Sequence, residues 1–226
     1  MEAFDYVENI DYYIITMGNE DRVENINKQQ QKINKYTDKI NIQFVDAVVG
    51  KTLDLNELKQ TGKLAPNCDN NFSFGMKNEI GCYLSHMKIY DIINQKNINK
   101  NNTDGYSVIF EDDVELKEDF IELLDKSIIQ LNNIEFDYLF LGMLNGIGEK
   151  LVDNIYHLGK EGEMYQTHAY LVKNSSIQKI IDNLMPIEYL IDVAIFNKGK
   201  SEDFKIYRLD PTIADQGGFG TLIRTN

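Results

Sequence analysis

The sequence has little that would tie it to a membrane, a nucleic acid or a disulfide framework. No apolar run approaches the roughly 20 residues that a bilayer-spanning helix needs. The opening MEAFDYVENIDYY is acidic where a signal peptide would be basic and then continuously apolar, so a soluble, cytoplasmic chain with no integral membrane segment is expected. Basic residues are scarce: 23 Lys and Arg against 36 Asp and Glu give a net charge of −13, which opposes binding to DNA, RNA or anionic lipid. A small phosphorylated ligand is still compatible, provided that a metal ion or a few local cations neutralise it. The two cysteines, Cys68 and Cys82, are too few and too far apart for a zinc or disulfide framework and read as free thiols. Three histidines, His86, His157 and His168, are fewer than a two-metal hydrolase usually gathers. No repeat, low-complexity linker or domain boundary interrupts the chain, so residues 1–226 read as a single domain.

What the sequence does contain is an alternation of strand and helix signals. The apolar run at 12–16, in DYYIITM, predicts a buried strand. After it, GNEDRVENINKQQQKIN places Val23, Ile26, Gln30 and Ile33 at helical spacing, with Glu20 and Asp21 suited to the helix N-terminus. IQFVDAV gives a second strand. Strand, helix, strand in this order begins a parallel, doubly wound sheet, because a parallel return needs a crossover. Further helices are expected at 53–60, at 78–95, in KEDFIELLDKSIIQL, in SSIQKIIDNL with Asn174 or Ser175 as cap, and in IEYLIDVAIFN. Further strands are expected at 107–110 and in FDYLFLGM, YQTHAYLV and FKIYRLDP, while TGKLAPNCDNNFSFG reads as loop. The expected fold is α/β, a mostly parallel sheet flanked by helices.

One stretch demands a physical explanation. In YSVIFEDDVEL an apolar, β-branched run stops in three adjacent carboxylates, Glu111, Asp112 and Asp113, with no Lys or Arg before Lys117. Packed carboxylates repel one another, and burial makes the repulsion worse. Beyond the carboxyl end of a parallel strand, where open α/β sheets bind ligands, they have a use. Glu111 and Asp113, two apart, point to one side of an extended segment while Asp112 points away, and two converging carboxylates hold Mg²⁺ or Mn²⁺. The bland alternative is a solvated turn that, with Glu118 and Asp119, favours the positive end of the next helix.

The neighbouring pieces decide between these. YIITMGNEDR, FVDAVVG, NEIGCYLSH with IY beyond it, and VIFEDDVEL occur in an order that resembles glycosyltransferase family 25, with THAYLV and IDVAIF agreeing later in the chain. This family includes lipooligosaccharide and collagen hydroxylysine galactosyltransferases. The resemblance implies a GT-A-like, Rossmann-like single domain and metal-dependent, inverting transfer from a UDP-sugar, galactose ahead of glucose. The acceptor would be a hydroxyl on a glycan or a hydroxylysine-like side chain.

On that resemblance Glu111 and Asp113 are the metal-side pair for Mn²⁺ or Mg²⁺, and Asp112 is a ribose or sugar contact. Arg22, in EDR, binds the pyrophosphate or anchors the base loop; its bland reading is a surface Arg paired with Glu20 or Asp21. Asp46 and Ala47 lie near the base or ribose, Asp46 being equally a turn residue. Ser85 and His86 hydrogen-bond a phosphate or the donor sugar, against the reading of a His satisfied by backbone. Gly81 allows close packing on the sheet. Thr16 stands where the family more often has Asn and is placed at the nucleotide, as is Gln216 near the carboxyl end. Inversion by direct displacement needs a base, and the first choice is Asp192, a single acid in an apolar helical segment. His168 and Glu188, the latter expected one helical turn before Asp192, are the alternatives. Two rival readings stay open: a non-catalytic relative that binds sugar or a partner, and another metal-dependent phosphoryl enzyme such as a nucleotidyltransferase or phosphoesterase.

Overall fold

A computed structural model describes residues 5–72, 75–101, 103–144, 147–158 and 165–218. In chain order its elements are α1 (Asp5–Glu8), β1 (Asp11–Thr16), α2 (Glu20–Asn34), β2 (Ile42–Asp46), α3 (Leu55–Gln60), α4 (Met76–Lys100), β3 (Tyr106–Glu111), β4 (Val114–Leu116) and α5 (Phe120–Leu131). There follow β5 (Tyr138–Leu144), β6 (Ile147–Val152), β7 (Ile155–Leu158), β8 (Tyr165–Lys173), α6 (Ile177–Leu184), α7 (Ile191–Lys200), β9 (Ile206–Leu209) and β10 (Ala214–Gln216).

Eight strands form one sheet in the order β2-β1-β3-β8-β5-β9-β7-β6. The expected doubly wound start is there: β1 pairs in parallel with β2 on one side and β3 on the other. β5 and β9 are also parallel, whereas β8 runs antiparallel to both β3 and β5, so the sheet as a whole is mixed. Strand residues alternate between two cores. Tyr13, Ile15, Ile109, Phe140 and Tyr170 face the helices α4, α6 and α7. Their neighbours Tyr12, Ile14, Phe110, Leu141 and Leu171 face α2 and α5. Central strands buried on both faces read as continuous apolar runs, which is why they were visible in sequence.

Three local expectations change. The acidic turn is not the start of a helix: β4 follows it and pairs with β10, and α5 begins only at Phe120. Residues 174–176 form a 3₁₀ turn before α6, so neither Asn174 nor Ser175 caps that helix. Asn174 is drawn instead into the sheet edge, where its Oδ1 accepts from Ser107 Oγ at 2.8 Å and its carbonyl accepts from Asn97 Nδ2 at 3.0 Å. Finally, α7 starts at Ile191, because Ile187 is held extended by backbone bonds to Lys63 and Ala65. Glu188 is therefore exposed on a non-helical segment rather than one turn before Asp192 on a shared helix.

Gly81 permits a close approach, but to the segment after β2 rather than to the sheet. A Cβ there would lie 2.7 Å from Val48 O and 2.9 Å from Gly50 N. Alanine is the better helix former by about 0.8–1.0 kcal/mol, yet backbone atoms cannot swing aside as a side chain can, and overpacking costs about 1–3 kcal/mol. The overlap should win. Gly81→Ala is expected to lower stability by roughly 1–2 kcal/mol in urea denaturation.

Candidate active site

The carboxyl ends of β1, β2 and β3 open onto a cleft of about 250 Å³. Strand order reverses here, since β1 is followed by β2 on one side and β3 on the other, and such a switch point is where open α/β sheets bind ligands. The cleft is lined by Thr16 and Arg22, by Ala47 and Lys51 from beyond β2, by Cys82, Ser85 and His86 from α4, by Glu111, Asp112 and Asp113, and by Gln216.

The three adjacent acids are separated by what each meets. Glu111 Oε1 accepts from Thr167 Oγ1 at 2.6 Å and lies 3.3 Å from His86 Nε2. Asp112 Oδ2 accepts from the backbone N–H of Met17 at 3.3 Å. Asp113 Oδ2 accepts from Gln216 Nε2 at 3.0 Å. Arg22 Nη1 reaches both aspartates, at 3.5 Å from Asp112 and 3.3 Å from Asp113, so the simple alternation in which Asp112 points away fails through the turn. Asp112 and Asp113 are only 8% and 7% exposed, which excludes a solvated turn.

A polar stripe on α2 holds this turn. Arg22, Asn25 and Gln29 are buried on one helix face. Asn25 Nδ2 donates to the carbonyls of Asp112 (3.1 Å) and Val114 (2.9 Å), and Gln29 Oε1 accepts from Leu116 N at 2.9 Å. The stripe is legible as polar residues at i, i+3 and i+7, a signal that a reading built on Val23, Ile26, Gln30 and Ile33 passes over.

Charge within the cleft is unevenly settled. Burial raises the Asp113 carboxyl to about 6, with the charge of Glu111 adding to it and Gln216 and Arg22 opposing. Burial likewise raises Asp112 against the pull of Thr16, Arg22 and Met17. For Glu111 burial also acts upward, but His86, Thr167 and His168 outweigh it and hold the group below its ordinary range. Asp113 Oδ1 is buried with no hydrogen-bond partner.

Nine of the thirteen residues singled out in sequence line the cleft: Thr16, Arg22, Ala47, Ser85, His86, Glu111, Asp112, Asp113 and Gln216. Arg22 is 2% exposed, against the reading of a surface residue paired with Glu20 or Asp21. Ser85 is engaged within the fold, donating to Gly81 O at 2.7 Å and accepting from Val48 N at 2.8 Å, which braces the cleft wall. His86 is satisfied at Nδ1 by the Tyr170 hydroxyl at 2.7 Å, and Tyr170 meets Tyr90 at 2.8 Å, a buried chain of hydroxyls rather than backbone.

Asp46, Asp192, His168 and Glu188 are not among the lining residues. The side chain of Asp46 is exposed at the end of β2. His168 is 2% exposed and wedged beside Gly142, where a Cβ would sit 2.3 Å from His168 Nε2, and burial lowers its pKa against the charge of Glu111. Asp192 is half-buried at the start of α7, accepting from Gln166 N at 3.1 Å and Val193 N at 2.8 Å, and burial raises its carboxyl. A short path links it to the cleft: Gln166 Nε2 donates to Gln216 Oε1 at 2.6 Å, and Gln216 donates to Asp113. Among cleft residues, sequence reasoning gave no role to Cys82 or Lys51.

A mixed α/β sheet with helices on both faces and a crevice at its switch point is of Rossmann-like type. Residues 9–195 match the family described as Glycosyltransferase family 25 (LPS biosynthesis protein), and the chain belongs to that family. Inactive glycosyltransferase 25 family member 3 of Mus musculus is 28% identical over 74% of this chain and 29% of its own length. Procollagen galactosyltransferase 2 of Homo sapiens is 25% identical over 92% of this chain and 35% of its own length. The chain thus spans about a third of the length of these curated relatives. UDP-glucose pyrophosphorylase complexed with UDP-glucose aligns over 91% of this chain and 75% of its own, at 9% identity and a TM-score of 0.38, too loose a likeness to argue from. Among the described residues no helix is long and apolar enough to cross a membrane.

Proposed function

We propose that this chain is a metal-dependent, inverting glycosyltransferase that moves a hexose, galactose or glucose, from a UDP-sugar to a hydroxyl of a glycan or hydroxylysine-like acceptor. The observation that carries the reading is the buried acid turn at the switch point, with Asp113 Oδ1 unpartnered inside the cleft and Glu111 beside it. Those oxygen donors fit a hard divalent cation such as Mn²⁺ or Mg²⁺. When bound, the ion supplies positive charge against the departing nucleoside diphosphate. Arg22 Nη1 ties Asp112 and Asp113 together in the turn. Lys51 adds a cation to a wall that an anionic donor must pass. Ala47 offers an apolar surface for the base or ribose. Asp192 is the proposed base, taking the acceptor hydroxyl's proton.

A second reading has its own support, since the relatives from mouse, rat and cattle carry the word "inactive" in their names. On that reading donor binds but no sugar leaves. Chromatography of UDP-galactose and UDP-glucose incubated with the chain and Mn²⁺ separates the cases. UDP release that stops on adding chelator is the expected outcome. Binding without release supports the inactive reading, whereas sugar phosphate or pyrophosphate as product would identify a different phosphoryl enzyme.

A further inference from the structure

On the α4 side of the same cleft a second donor set converges, of different chemistry from the acid pair. Cys82 and His86 stand one helical turn apart on one face of α4, and Glu111 meets them from the end of β3. The ligating atoms of these three residues all lie within 4.8 Å of one another. Cys82 lines the cleft, so the set is reached from solvent, while Cys68, the other free thiol, is 1% exposed in the core.

The state of His86 is the independent sign. The residue is 0% exposed, and its Nδ1 is fixed by the Tyr170 hydroxyl at 2.7 Å. Its Nε2 is buried and makes no hydrogen bond, although Glu111 Oε1 is 3.3 Å away. A ring nitrogen held on one side and left open on the other is how metal-ligating histidines are prepared, with the outer nitrogen's partner setting the ring's orientation. Behind Tyr170 stand Tyr90 at 2.8 Å and then Tyr138 at 3.3 Å, so the ring is positioned from within the core.

We infer that Cys82, His86 and Glu111 form a binding site for a thiophilic divalent cation, Zn²⁺ by preference. Softness separates it from the proposed donor-side metal: sulfur and imidazole select zinc, whereas an all-oxygen pair suits magnesium or manganese. Three protein ligands leave the fourth tetrahedral position to water or a ligand in the cleft. On binding, the cation replaces the Cys82 thiol proton, which passes to solvent, and the sulfur–metal bond forms without change of oxidation state. Because Glu111 belongs to both sets, zinc here withdraws it from Asp113 and opposes occupancy by Mn²⁺. The inference stands whether or not the chain transfers sugar.

The test uses Co²⁺ as a spectroscopic probe on the metal-free chain. Wild type is expected to show a thiolate-to-cobalt charge-transfer band that saturates at one equivalent and is bleached by Zn²⁺. Cys82→Ser should lose the band, and Cys68→Ser should keep it. Zn²⁺ should also protect Cys82 of the unmutated chain from alkylation, read by mass spectrometry, so the answer does not depend on a variant folding. Absence of the band in wild type, its persistence in Cys82→Ser, or alkylation of Cys82 unchanged by Zn²⁺ would each overturn the site.

Discussion

Asp113→Asn is expected to lose metal-dependent UDP binding by on the order of 10²-fold or more, about 3 kcal/mol, while the metal-free chain keeps or gains stability. The two halves have one cause. In the metal-free chain Asp113 is buried beside Glu111, and its carboxyl is pushed up to about 6. A carboxylate raised in the folded state is a charge the fold opposes. Between the ordinary range near ~3.9 and about 6 the folded chain keeps a proton that the unfolded chain releases, so this group's contribution to stability is full at low pH and is lost as pH rises through that window. Asparagine keeps an acceptor for Gln216 and Arg22 and removes the opposed charge. Thermal melts of both proteins at pH 5 and pH 8 check the stability half: the variant's advantage over wild type should be smaller at pH 5, inside that window, than at pH 8, above it.

The binding half follows from what the cation would lose. Removing partners one step away from a bound metal already costs about 10–100-fold in affinity, so losing a direct oxygen should cost at least as much. Calorimetry of UDP with Mn²⁺ and with chelator reads this directly. Equal UDP affinity in wild type and variant, with metal present, would remove Asp113 from the donor site. It would leave the buried acids explained by their protein partners, Arg22, His86, Thr167 and Gln216 among them.

That last possibility marks where the sequence stopped being legible. The central strands announce themselves because both faces of the sheet are covered, and the long helices because one face must pack. β3 ending in acids at a switch point follows from those two facts. What local pattern cannot supply is the company the acids keep. Arg22 is separated from Asp112 by 90 positions in sequence, yet its guanidinium lies between the two aspartates. Thr167 reaches Glu111 from β8, which no spacing within the acidic run predicts. The short strands β4 and β10 also escape a periodicity reading, since three residues carry too little alternation to register. The acceptor side suffers most: Glu188 was placed on a helix that begins three residues later, because the pairing of Ile187 with Leu64 is a long-range event.

The same difficulty shapes the test of Asp192. As the base, Asp192→Asn should lower turnover by roughly 10²–10⁴-fold with little change in UDP-sugar affinity. It should also remove the acidic limb of the pH–rate profile. The sign is fixed by chemistry: a base works when deprotonated, burial raises the Asp192 carboxyl, and wild-type turnover therefore falls as pH drops through a value above the ordinary carboxylate range. A positioning role predicts something else. Asp192 accepts two backbone N–H groups, one from Gln166, which holds a left-handed φ of 79°. An asparagine can serve only one of them well and leaves the other short of an acceptor, at about 1–3 kcal/mol. Release of Gln166 would disturb Gln216, and through it Asp113, so donor affinity would fall while the pH profile kept its shape. Measuring turnover, UDP-sugar affinity and the pH profile on one variant therefore separates proton transfer from scaffolding. If affinity falls and the acidic limb survives, the base is not Asp192. His168, 2% exposed against Gly142, would then need a rearrangement to reach an acceptor, whereas exposed Glu188 would not.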